Sequence, residues 1–168
     1  MGTDMGTDMG TDMGTDKLHA AKTRLRGFTL IELMLTLVIL AILASVSYAS
    51  YQSLIEKTKI STAISDISKI EVELERLITQ NGTLPLNLAA VSIQTDPWGN
   101  LYQFLNMSTV VGNGQKRKDK NLVPLNTDYD LYSSGPDGQS VGPLTAAKSR
   151  DDIIRANNGG YVGKAEDY

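Results

Sequence analysis

Residues 28–49 read FTLIELMLTLVILAILASVSYA, an unbroken apolar run of 22 residues with one charge, Glu32. At about 1.5 Å per residue such a run crosses a hydrocarbon core of about 30 Å as a helix. A secretory signal is a poorer match, because its apolar region is only about 7–15 residues long and carries no carboxylate at its start. The run therefore predicts a spanning helix over 28–51. In a chain of 168 residues, that leaves room for one small domain and excludes a multi-domain enzyme. Lys17, Lys22, Arg24 and Arg26 stand directly before it. The positive-inside bias keeps that end in the cytoplasm and sends the rest of the chain to the other side of the membrane.

Upstream, residues 1–16 are Met-Gly-Thr-Asp written four times. The period is too short for a solenoid and the composition too polar to bury anything, so the segment is expected to be disordered low-complexity chain. A duplication in the coding DNA, or a start at Met13, explains it more simply than a binding function. Its four Asp cancel the four cations that follow, so the part beyond Gly27 keeps the whole net charge of −3. A mildly acidic chain has no electrostatic reason to take nucleic acid as its principal partner.

No Gly or Pro interrupts residues 28–81, and beyond the membrane Ile60, Ala63, Ile64, Ile67, Ile70, Leu74, Leu77 and Ile78 fall at spacings of three and four. They make one apolar stripe, so residues 52–80 continue the helix with one face covered and the face bearing Glu56, Lys59, Asp66, Lys69, Glu73 and Arg76 in water. Asn81-Gly82 ends it and Pro85 prevents a restart. Residues 81–168 change to short stretches such as 101–105 and 129–132 between the turns Asp96-Pro97-Trp98-Gly99, Gly112-Asn113-Gly114 and Pro136-Asp137-Gly138. This predicts a small antiparallel sheet laid on the helix stripe. The last 30 residues, poor in apolar side chains, are expected to be an ordered loop or tail. Lys116-Arg117-Lys118-Asp119-Lys120 is expected to be a solvated hairpin tip, and Trp98 a packing anchor.

Chemistry is concentrated at one residue. A charge inside a bilayer costs up to about 2.5–3.5 kcal/mol, so Glu32 needs a function and a partner, and no Lys or Arg lies in the run. Were the chain cut after Gly27, the new ammonium of Phe28 would serve, its own or a neighbour's. The only histidine, His19, sits before the cut, and cysteine is absent. Histidine-based catalysis, a zinc site and disulfides are thereby excluded from the remainder, and no enzyme is expected.

The run Gly27-Phe28-Thr29-Leu30-Ile31-Glu32-Leu33, with basic residues before it, resembles the processing segment of type IV pilins and type II secretion pseudopilins. The resemblance implies a prepilin peptidase that cuts between Gly27 and Phe28 and methylates the Phe28 amine, and it implies an assembly role for Glu32. NGTLP (81–85), DPWGNLYQF (96–104) and DYDLYSSGPDG (128–138) are similar to the major pseudopilin of type II secretion. In that subfamily the C-terminal loop binds calcium where many pilins have a disulfide, in keeping with the absence of cysteine. From the residues alone, Asp137 either serves its turn or ligates a cation, and Asp151-Asp152 either cap a short helix at Ile153 or do the same. The resemblance implies calcium held by Asp137, Asp151 and Asp152, with carbonyls near Ser134 and Pro136. Two departures stand out. Relatives often have Gly and Pro where this chain has Ala41 and Ala49, and the stretch between Asp137 and Asp151 is longer than in many of them.

The resulting expectation is an α+β, pilin-like protein: a leader at 1–27, a spanning helix at 28–51, its amphipathic continuation at 52–80, and a periplasmic domain at 81–168 with a sheet and a calcium loop. Its function would be structural, a filament subunit working with other pseudopilins and an inner-membrane assembly platform in protein export. The alternatives are a type IV pilin for adhesion, motility or DNA uptake, and a membrane-tethered periplasmic calcium-binding protein.

Overall fold

A computed structural model of the chain describes Gly2 and residues 27–168. The expectations for the repeat, the basic stretch and His19 lie outside the described residues. The chain divides into two units, residues 1–43 and 44–168.

One helix, α1 (Leu30–Asn81), runs from the first unit into the second. It begins two residues later than Phe28 because Thr29 caps it. The Glu32 N–H donates to Thr29 Oγ1 (3.3 Å) and the Thr29 N–H to Glu32 Oε2 (3.4 Å), a reciprocal capping box. The apolar part is long enough to cross a membrane, and none of it is buried. Where the chain can no longer be helical, Gly82 adopts a φ of 73° and its N–H closes the last turn on the Ile78 carbonyl (2.8 Å).

In the second unit, the sheet runs β1 (Gln103–Asn106), β2 (Tyr129–Ser133), β3 (Ile153–Ala156) and β4 (Tyr161–Lys164), in that spatial order and antiparallel throughout. Alternation along the strands splits their side chains between two cores. Phe104, Tyr129, Leu131, Ile153 and Val162 meet the helix stripe, where Ala63, Ile67, Ile70 and Leu74 are fully buried. Tyr132, Ile154, Ala156 and Tyr161 face the other way and are covered by Leu125, Leu144 and Ala165. The loops before β2 and β3 thus roof the outer face.

Three expectations are corrected here. The last 30 residues are no tail: they form β3 and β4, half of the sheet. The face of α1 opposite the stripe is partly engaged. Glu56 accepts from Trp98 Nε1 (3.2 Å), Asp66 from Tyr102 Oη (3.4 Å), and Glu73 from the Ser92 N–H (2.8 Å). In the basic run, Lys118 and Lys120 stand in water as expected, but Arg117 turns inward and is buried with 3% exposure.

Candidate functional site

Gly27 and Phe28 precede the helix as exposed chain outside any helix or strand, and a side chain added at Gly27 would meet nothing within 4 Å. Glu32 lies one turn further on, its carboxylate held by Thr29. Thr29 is the helix cap that the sequence reading missed. The pattern Thr29-x-x-Glu32 ahead of an apolar run was the available signal. The capping box keeps one Glu32 oxygen satisfied before any partner arrives.

The second candidate is the loop from Ser134 to Asp152. Asp96 is the post that anchors its start. Its Oδ1 accepts from the Trp98 and Asn100 N–H groups (3.0 and 2.8 Å), and its Oδ2 accepts from Ser133 Oγ (2.5 Å). Asn100 Nδ2 then donates to the Gly135 carbonyl (3.0 Å). Gly135 must be glycine: its φ is 64°, and a Cβ there would stand 2.5 Å from the Asp151 carbonyl oxygen. The two arms of the loop therefore meet backbone to backbone.

The three aspartates expected to hold calcium do not converge. Asp137 is exposed and its Oδ1 accepts from the Gln139 N–H (2.7 Å), which is the turn role. Asp151 accepts from the Asp137 N–H (3.3 Å). Asp152 is fully buried, with Oδ2 accepting from Arg117 Nη2 and from Ser140 Oγ, both at 2.6 Å, while Oδ1 has no partner. Burial raises its carboxyl to about 6, although Ser140 and Arg117 both pull it down. Ser134 is buried and Pro136 exposed. Among the described residues, no three of Asp, Glu and His gather as a metal site. The unpartnered Oδ1 is an oxygen a cation would want, but Asp137, engaged in its own turn, and Asp151 do not gather with it as the side-chain share of a calcium shell. Helix capping by Asp151-Asp152 is also corrected, since Ile153 opens β3.

On the helix side of the sheet, the buried Arg155 gathers a second cluster of half-buried carboxylates. Its Nε donates to Glu71 Oε1 (2.5 Å), its two Nη atoms donate to the two oxygens of Asp128 (2.8 and 2.7 Å), and its guanidinium lies 4.0 Å from the Tyr129 ring centre. Burial works against the Asp128 charge, yet hydrogen bonds from Arg155 and the Tyr129 N–H outweigh it and hold the carboxyl below its ordinary range.

Comparison with known proteins bears on both ends of the chain. Residues 22–48 match the prokaryotic N-terminal methylation motif. The type II secretion system core protein G of Pectobacterium carotovorum subsp. carotovorum is 30% identical over 138 residues, 68% of this chain and 78% of that protein. The protein of the same name from Klebsiella pneumoniae is 30% identical over 139 residues, 77% of this chain and 93% of that protein. A fimbrial protein of Pseudomonas aeruginosa is 36% identical, but over 55 residues, 33% of this chain and 36% of that protein. No solved structure matches significantly.

Proposed function

The chain belongs to the family of type II secretion system core protein G, and on that premise we propose that its precursor is cut between Gly27 and Phe28, methylated on the Phe28 amine and assembled through Glu32. As a major pseudopilin it is a membrane-anchored structural subunit, not an enzyme. It is processed through its prepilin-type motif and polymerises with other pseudopilins. In the finer reading, the domain of residues 81–168 stands in the periplasm, where the filament drives protein export from an inner-membrane assembly platform.

The observation that carries this reading is the reach of the similarity. Likeness to core protein G runs over about two thirds or more of the chain, whereas likeness to the fimbrial protein covers a third. A shared methylation segment is common to both classes and cannot separate them. At the helix start, exchange is the chemistry required. Glu32 leaves the Thr29 N–H for a neighbour's ammonium, a stronger partner in a medium of low dielectric constant. Calcium enters this reading as a competitor of Arg117 for Asp152, and the metal dependence of melting decides between them. Deleting the gene tests the function. Loss of secreted proteins with surface pili intact is the expected result; loss of pili with export intact assigns the chain to the type IV pilins instead.

A further inference from the structure

Calcium is what the resemblance implies for the Ser134–Asp152 loop, and the side chains there do something else. Arg117 comes from the stretch between β1 and β2, far from the loop in sequence, and its charged end is inserted beneath it with 4% side-chain exposure. Nη2 takes Asp152 Oδ2 and Nη1 takes Ser140 Oγ, each at 2.6 Å, and Ser140 Oγ closes the triangle on the same carboxylate oxygen. The guanidinium stacks 4.0 Å from the Tyr132 ring centre. The backbone of the same residue is fixed as well. Its N–H donates to Asp130 Oδ2 (2.9 Å), its carbonyl accepts from the Leu125 N–H (2.9 Å), and Lys118 beside it exchanges backbone hydrogen bonds with Gly142 and Leu144 of the loop. One residue therefore joins β2, both sides of the loop and the entry to β3.

We propose that Arg117 is the resident cation of this loop: its guanidinium occupies the Asp152 oxygen that a bound calcium ion would need, and it closes the loop without metal. Two facts favour the side chain over an ion. Asp137 is engaged in its own turn, so the loop lacks the converging carboxylates that hold a divalent cation. A guanidinium already in contact with Asp152 repels a second positive charge approaching its free Oδ1. The two orphaned atoms, Arg117 Nε and Asp152 Oδ1, belong to the two partners themselves, which is where an arginine that meets its carboxylate through one nitrogen alone leaves them.

The test uses the full-length chain in detergent, melted with millimolar calcium and with excess chelator, and does not depend on filament assembly or export. The proposal requires the same Tm in both conditions. Arg117→Met, which keeps the volume and removes the charge, should lower the Tm in chelator by roughly 10–20 °C, because it leaves Asp152 buried and uncompensated. Adding Asp152→Asn to it should restore part of that loss. A wild-type Tm that rises with calcium overturns the proposal, and this measurement stands even if Arg117→Met fails to fold. An Arg117→Met chain as stable as wild type in chelator overturns it equally.

Discussion

Arg155→Met would unpair the carboxylates of Glu71 and Asp128 at the junction of β3 and α1. The substitution keeps most of the side-chain volume against the Tyr129 ring and removes every charged contact. Breaking one side of a buried ion pair costs about 3–5 kcal/mol. Here the abandoned carboxylates are not fully enclosed: the Glu71 side chain is 19% exposed and that of Asp128 37%. Water can reach both, so the figure is discounted to about 2–3 kcal/mol. At about 4 °C per kcal/mol, the Tm should fall by about 8–12 °C. The assay is near-ultraviolet circular dichroism of the detergent-solubilised chain, which reads the packed tyrosines. Because Asp128 titrates below its unfolded value, the unfolded chain takes up its proton first as pH falls. The stabilisation Asp128 provides is complete above the unfolded value of about 3.8 and disappears below it. Arg155→Met should therefore also flatten the acid limb of the wild-type stability curve. A Tm within about 2 °C of wild type, together with an unchanged acid limb, would show that Arg155 does not couple β3 to α1.

Three other outcomes follow from the same geometry. Gly135→Ala forces a methyl group against the Asp151 carbonyl at a positive φ, so it should cost about 2–3 kcal/mol by urea titration, with Gly138→Ala, opposite only an asparagine side chain, costing less. Ile67→Ala, at a fully buried position of the helix stripe, should cost about 2–4 kcal/mol in the same titration. Glu32→Ala leaves membrane insertion intact but should abolish crosslinking between neighbouring subunits in membranes, and undiminished crosslinked ladders would remove Glu32 from assembly.

Much of this protein is legible in its sequence, and the illegible parts share a cause. The apolar run, the stripe at Ile60–Ile78 and the Asn81-Gly82 stop are repeated or local signals, and each sits where its chemistry requires. β3 was hidden because Arg155 interrupts its apolar pattern. The charge is tolerated there only because Glu71, far away in sequence, waits across the helix interface. β4 was hidden by Asn157-Asn158-Gly159-Gly160, a turn that looks like the start of a polar tail until Ala156 pairs with Tyr161. Among the basic residues at 116–120, nothing local distinguishes the inward Arg117 from its lysine neighbours. Its burial is decided by Asp152, Ser140 and Tyr132, which come from two later segments. The aspartates of the loop were similarly ambiguous, since a turn residue, a metal ligand and an arginine partner all present the same carboxylate.

Processing as a pseudopilin would leave its most direct trace at the N-terminus. Intact-mass and N-terminal analysis of protein extracted from membranes should find a chain that begins at Phe28 and carries one methyl group on its α-amine. A mature chain beginning near Ser50, as ordinary signal cleavage would leave, or a membrane form that retains the residues before Phe28, would contradict it.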